Sequence, residues 1–151
     1  MKPFLHGHAT HPDAHMALAL AAAQIDAQRA SAGVNPTLGW LYLTDHHATV
    51  APALLADAQR RWPGVAWVGT VGVGVCASGV EYFDEPGLVL MLAELPRTGF
   101  RVFSGARPLG DFAAHTAQVH ADPATPDLGE LITDMSDRTR TGYLFGGLAA
   151  A

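Results

Sequence analysis

The stretch that decides the fold is Leu38 to Gly74, LGWLYLTDHHATVAPALLADAQRRWPGVAWVGTVGVG. It opens on a short, nearly continuous apolar run, Leu38 to Leu43, which reads as a strand buried on both faces. Asp45-His46-His47 interrupts it. From about Thr49 to Trp62 the apolar residues Ala51, Leu54, Leu55 and Ala58 recur at helical spacing, with Pro52 tolerable in the first turn. Pro63-Gly64 stops that helix, and Val65 to Val68 is a second apolar strand running into Gly69-Thr70-Val71-Gly72-Val73-Gly74. Strand, helix, strand and glycine in this order predict an α/β unit.

The unit recurs. Shifted by 77 residues, Asp45 falls on Asp122, Leu54 on Leu131, Asp57 on Asp134, Arg61 on Arg138 and Gly69 on Gly146, without a gap. The helical face Ala51, Leu54, Leu55, Ala58 becomes Leu128, Leu131, Ile132, Met135, and the strand Ala66-Trp67-Val68 becomes Tyr143-Leu144-Phe145. A shared pattern over a fixed offset is the mark of a structural repeat. The second unit stops soon after its glycine, so the expectation is one complete and one partial strand-helix-strand repeat in a single domain spanning 1–151, truncated at its C-terminus.

Outside the repeat, Phe4 to Thr10 reads as a short entry, and Asp13 to Ala30 as an alanine-rich helix ended by Ser31-Ala32-Gly33, with Thr10 or His11 as its cap. Val75 to Phe83 and Leu88 to Leu95 read as the two strands of a hairpin around Asp84-Glu85-Pro86-Gly87. Phe100 to Phe103 reads as a strand, Asp111 to His120 as a helix, Leu128 to Asp137 as a helix and Gly142 to Phe145 as a strand. The fold class expected is α/β, shading into α+β: a layered mixed sheet with packed helices, in which the hairpin rules out a purely parallel arrangement.

Composition narrows the function. The chain is 49% hydrophobic and 15% charged, with a formal net charge of −5. Phosphate-binding surfaces are built from clustered Lys and Arg, so neither nucleic acid nor an anionic membrane is an expected partner. The single cysteine, Cys76, excludes an internal disulfide and a cysteine-based zinc site, and alone in an apolar run it reads as core, not as a nucleophile. There is no signal-peptide pattern and no apolar run near the roughly eighteen residues of a membrane span, so the expected location is cytoplasmic.

Three features carry candidate chemistry. Gly69, Thr70, Gly72 and Gly74, with Gly146 in the second unit, suit a loop whose backbone N–H groups approach a carboxylate or phosphate; they equally suit a bend where another element packs closely. The glycines are not spaced as a dinucleotide fingerprint, and no P-loop lysine follows. Asp45 and His46 follow the first clear strand, at the carboxyl end where open α/β sheets place ligands, and Asp122 holds the corresponding place. An aspartate there is also an ordinary turn or cap residue. Finally, His8, His11 and His46 are the histidines that suit a metal, although no Glu completes a zinc-protease motif.

The opening His8-Ala9-Thr10-His11-Pro12, the stretch Val68 to Val75, Gly79-Val80-Glu81 before an apolar strand, and the closing Leu144-Phe145-Gly146-Gly147-Leu148-Ala149 together resemble the N-terminal portion of FIST domains (F-box and intracellular signal transduction). Val71 and Val73 stand where such sequences usually carry Ser, Thr or Ala, so this loop is unusually apolar. The resemblance implies a sensory input domain for signal transduction that binds a small ligand, an amino acid or a similar polar metabolite, with no catalytic motif and no cofactor. On this reading the ligand lies among Gly69, Thr70, Gly72, Gly74, Asp45, His46, Asp122 and Gly146. The partners are that ligand, a downstream signalling protein and a second copy of the chain in a homodimer. Two rivals remain: a histidine-dependent metal-binding protein or enzyme using His8, His11 and His46, and a structural or interaction module without a ligand.

Overall fold

The strand expected at Leu38 is the spine of the central sheet. In the computed structural model, which describes residues 2–150, it spans Leu38–Thr44 (β2) and is buried on both faces along nearly its whole length. The chain then makes a 3-10 turn, Asp45–Val50, and a helix, Ala51–Arg61 (α2), before returning as Ala66–Gly72 (β3), parallel to β2 with Leu41 opposite Gly69. On the other side of β2 lies Gly87–Ala93 (β6), antiparallel, with Leu41 opposite Leu90. Leu5–Thr10 (β1) pairs antiparallel with β6 and gives the order β1-β6-β2-β3. This is the mixed α/β sheet that the pattern predicts.

The entry segment is thus a strand. Leu5 and Ala9 point inward and are buried, while His6 and Thr10 do not. Helix Ala14–Ala32 (α1) lies on the inward face. Its cap is Asp13, not Thr10 or His11: the Asp13 carboxylate accepts the Met16 N–H at 3.0 Å, which leaves His11 outside the helix. Gly33, at φ 58°, closes the other end and donates to the Arg29 carbonyl. Ala17, Leu18, Ala21, Ala22 and Ile25 are almost wholly buried. The alanines have a purpose: a Cβ on Gly7 would strike the Ala21 carbonyl oxygen, so helix and strand touch backbone to backbone. The free edge of β1 is closed by the same helix. Gln28 exchanges hydrogen bonds with the His6 main chain and Gln24 with the His8 main chain, as a neighbouring strand would.

Three local expectations change. The hairpin is smaller and earlier: Gly74–Ala77 (β4) pairs with Val80–Phe83 (β5) around Gly79, at φ 78°. The apolar run that followed it, β6, instead enters the central sheet, because a strand apolar on both faces is buried only between two neighbours. Phe100 to Phe103 forms no strand; Phe100 and Val102 pack on the sheet as side chains from irregular backbone. Asp111 to His120 is not a helix, and its last part is the strand Ala117–Ala121 (β7).

With β7 in place the repeat closes. Leu128–Asp137 (α3) and Leu144–Leu148 (β8) follow, and β7 and β8 are parallel, with Val119 opposite Gly146. Helix and second strand match the first unit at an offset of 77, but Leu41 corresponds to Val119, an offset of 78, so the first strand-to-helix link is one residue shorter in the second unit. Gly69 and Gly146 share an unusual backbone, with φ 156° and 139°, and at each an added Cβ would collide with the carbonyl of its partner, Leu41 or Val119. The i,i+4 ion pair Asp57–Arg61 likewise returns as Asp134–Arg138.

Candidate functional site at the carboxyl ends of the strands

β6 is antiparallel to both β1 and β2, and β3 is parallel to β2, so β1, β2 and β3 point the same way. The second unit packs on the face of this sheet opposite α1 and α2, and does so in step. The Trp40 indole N–H donates to Gln118 Oε1 at 2.7 Å, and the Tyr42 hydroxyl lies 2.9 Å from His120 Nε2. These are corresponding positions of the two repeats meeting each other. The carboxyl ends of β2 and β7 therefore lie at one end of the molecule, and so do Asp45 and Asp122, which follow them. That is the end where open α/β sheets hold ligands.

The Tyr42 cluster has a determined hydrogen-bond sense. Gln118 donates an amide N–H to the Tyr42 oxygen at 2.9 Å, and His120 Nδ1 is 2.9 Å from the Val119 carbonyl, which only an N–H can satisfy. His120 Nε2 is then the acceptor and the Tyr42 hydroxyl donates to it. Burial pushes the Tyr42 hydroxyl up from its ordinary pKa, partly offset by the Gln118 amide, and pushes His120 down. Both groups are held neutral. No reading of the sequence singled out Trp40, Tyr42, Gln118 or His120; their spacing of 78 was the available signal.

Other polar groups tie this end together. Buried Thr44 donates its hydroxyl to the Glu85 carbonyl and accepts the Gly87 N–H, both at 2.8 Å, fastening the turn before β6 to the end of β2. The Thr10 hydroxyl donates to the Glu85 carboxylate, and the His8 ring meets the Tyr82 hydroxyl at 2.6 Å. Burial, with Glu85 nearby, raises the Tyr82 hydroxyl. His47 is 2% exposed, and its Nε2 has no partner among the described residues. Burial lowers its pKa, against a backbone hydrogen bond at His11 that raises it.

Of the residues chosen from sequence, Asp45 is exposed, with Oδ1 3.2 Å from His46 Nδ1. Asp122 is exposed and its Oδ1 accepts the Ala124 N–H at 2.8 Å, a turn contact. The glycines are not a loop. Gly69, Thr70 and Gly72 lie within β3, their backbone paired with β2, and Gly74 begins β4. Gly69 and Gly146 are required by close strand contact, and a Cβ on Gly72 would press on the Gly74 carbonyl oxygen. The three histidines of the metal reading go to different partners: His8 to Tyr82, His11 to the Asp13 backbone, His46 to Asp45. Among the described residues no group of three or more His, Cys, Asp or Glu side chains is arranged to hold a metal ion. Two open hollows lie elsewhere, one of about 370 Å³ beside His6, Cys76 and Met91, the other of about 190 Å³ beside Arg29, Arg61 and Trp62; Cys76 is thus exposed and not core, because in β4 it is Val75 that faces inward.

No helix among the described residues is long and apolar enough to cross a membrane. No curated protein and no solved structure shows a significant match to the chain. One family does: the profile described as the FIST N domain matches residues 37–151, from the residue before β2 through both repeats.

Proposed function

Since the chain belongs to the FIST N domain family, whose members are associated with signal transduction, we propose that it is a small-molecule-binding input domain. The ligand is a small polar metabolite carrying an ammonium group, an amino acid being the foremost case. It sits at the rim formed by the carboxyl ends of the strands, with Asp45, His46 and Asp122 around it. The observation that supports this most is the in-step packing of the two units, which brings two exposed carboxylates to the same end of the molecule. Each has one oxygen in a local contact and its second oxygen without a protein partner among the described residues, which suits an ammonium ion's N–H donors. The glycines contribute by closing β2 against β3 and β7 against β8, which sets the positions of the acids; they do not supply amides to the ligand. The domain passes its state to a downstream signalling protein, acts in the cytoplasm, and performs no chemistry on what it binds.

A thermal-shift screen of the amino acids tests this. A ligand that binds only the folded chain raises Tm by mass action, by an amount equivalent to about 2.7 kcal/mol at one hundred times Kd. Asp45→Asn and Asp122→Asn are expected to abolish the shift while leaving the Tm of the ligand-free protein almost unchanged. A shift that survives both substitutions would place the ligand elsewhere. Stabilisation by zinc alone, lost in His8→Ala with His11→Ala, would replace this reading with the metal one.

A further inference from the structure

At the amino ends of β2 and β3, the segments leading into the strands border the hollow of about 190 Å³, and the last turns of α1 and α2 bring Arg29 and Arg61 to it. This is the opposite end of β2 from Asp45. Two guanidinium groups from different helices repel each other across so small a space unless something negative lies between them. A cation in the last turn also suits the carbonyls of its own helix, but that attraction does not require the two to share a hollow. How each arginine is held decides more. The Arg29 Nε–H donates to the Val34 carbonyl at 3.1 Å, past the end of α1, and Arg61 Nε lies 3.5 Å from Asp57 Oδ1. Both are anchored through Nε, and the terminal Nη groups of both have no protein partner among the described residues. The Asn35 side-chain amide borders the same hollow and is likewise without a partner among them. The acids nearby are already engaged. Glu94 receives Lys2 at 2.8 Å and the Asn35 main-chain N–H at 2.7 Å, and Asp57 receives Arg60 as well as Arg61. Arg97, whose Nη2 donates to the Gly64 carbonyl at 2.8 Å, adds a further cation, so the balance here is positive in a chain whose net charge is −5.

We propose that this hollow binds a small oxyanion, a phosphate or a carboxylate, between Arg29 and Arg61. A guanidinium held through Nε keeps a planar pair of N–H groups whose fork matches two oxygens of such an ion, and the Asn35 amide supplies a third donor. The anion removes the repulsion between the two cations, which water in the hollow does only by screening. Trp62, Pro63 and Val65 form the rest of the wall, and the first and last are 4% and 9% exposed. An apolar wall lowers the local dielectric and strengthens each charged contact. The size limits the guest: pockets for drug-sized molecules take roughly 300–1,000 Å³, so this hollow suits a single small ion or one acidic group. The inference does not depend on the ligand reading at the rim, which lies at the other end of the strands.

Nitrogen NMR of the arginine side chains in the full chain decides it, with inorganic phosphate in one titration and acetate in another. Sodium chloride holds the ionic strength constant, so that screening does not change along the curve. The Arg29 and Arg61 signals should move together and saturate, with half-saturation at about 1 mM or below, while those of the exposed Arg107 and Arg140 stay in place. The anion that saturates at the lower concentration assigns the guest as phosphate or carboxylate. Arg61→Gln should weaken the response of Arg29 at least tenfold, and Arg61→Lys, which keeps the charge and loses the fork, should weaken it less. Should Arg61→Gln fail to fold, the wild-type curves carry the test alone. Asp45→Asn should leave them unchanged, which separates this site from the rim. An unsaturable drift shared by all the arginines with both anions overturns the proposal. So does an Arg29 response that survives Arg61→Gln at full strength, or one that is lost in Asp45→Asn.

Discussion

Leu54 and Leu131 hold the same place in two like units, yet the first is wholly buried and the second 40% exposed. Their helices have the same length to within a residue, the same i,i+4 ion pair and the same strand-pressing glycine after them. The local pattern therefore sets the backbone, and what packs on it sets the energy. The first unit is closed by α1 and β6, which come from outside the repeat; the second meets the other face of the sheet through Trp40 and Tyr42, and the Ala150 N–H donates to the Val71 carbonyl of β3. Most of the stability should accordingly reside in the first unit, and the second should open at lower cost.

The largest effect that tests this is a pair of truncations. Leu54→Ala removes a fully enclosed side chain and should cost about 3–5 kcal/mol, as cavity-forming leucine substitutions do. Leu131→Ala removes one that is already partly in water and should cost less than about 1 kcal/mol in the monomer. Urea unfolding of both at low protein concentration measures the difference. Equal costs would mean that the second unit is as well covered as the first.

That asymmetry also explains what could be read from the sequence. The helices and β2, β3 and β8 were legible because each carries its own periodicity or a clear stop, such as Pro63-Gly64. The repeat was legible because Leu54, Asp57, Arg61 and Gly69 recur together. β7 was not: Ala117-Gln118-Val119-His120-Ala121 is too weakly apolar to announce a strand, since one face meets polar partners and its edge has none. The true hairpin was hidden for a different reason. Four-residue strands around Ser78-Gly79 give little pattern, whereas β6 gives a strong one, so the stronger run was assigned to the nearest turn. At the site, Asp45 and Asp122 could be placed at strand ends, but the Tyr42–His120 contact depends on how the two units pack, which local periodicity does not encode. The glycines were visible and their role was not, because an approach to Leu41 or Val119 and an approach to a ligand ask for the same residue.

A smaller effect separates the units by pH. His47 lies inside the first unit and His120 between the two, and burial lowers both from the ordinary value of 6.5. The unfolded chain therefore takes up protons at a pH where these folded groups do not. Their contribution is present in full above 6.5 and falls as the pH drops below it through the lowered range of the folded groups. His120, once protonated, can no longer accept from Tyr42, so acid should first raise amide exchange in β7 and α3. His47→Gln should flatten the pH dependence of global unfolding, and His120→Gln that of the local opening. Loss of both dependences in one variant would show that the two units open together.

The smallest effect compares the two ion pairs. Asp57 is the better enclosed acid, 17% exposed, and receives His15 at 3.4 Å, Arg60 at 3.4 Å and Arg61 at 3.5 Å. Asp134 is 57% exposed and has Arg138 alone, at 3.0 Å. The shorter distance does not make the second pair the stronger. An exposed i,i+4 pair gains little Coulomb energy in water and must hold two mobile side chains still, which leaves about 0.3–0.5 kcal/mol. Two arginines around one partly covered carboxylate, with the His15 ring beside it, share that ordering cost and are less screened, so Asp57→Asn should cost up to about 1 kcal/mol. Asp134→Asn should cost at most about half of that, and the cost should vanish in molar salt. Urea midpoints for both variants, at low and high salt, give the comparison. Equal costs for the two variants at low salt would mean that Asp134 is as well enclosed as Asp57.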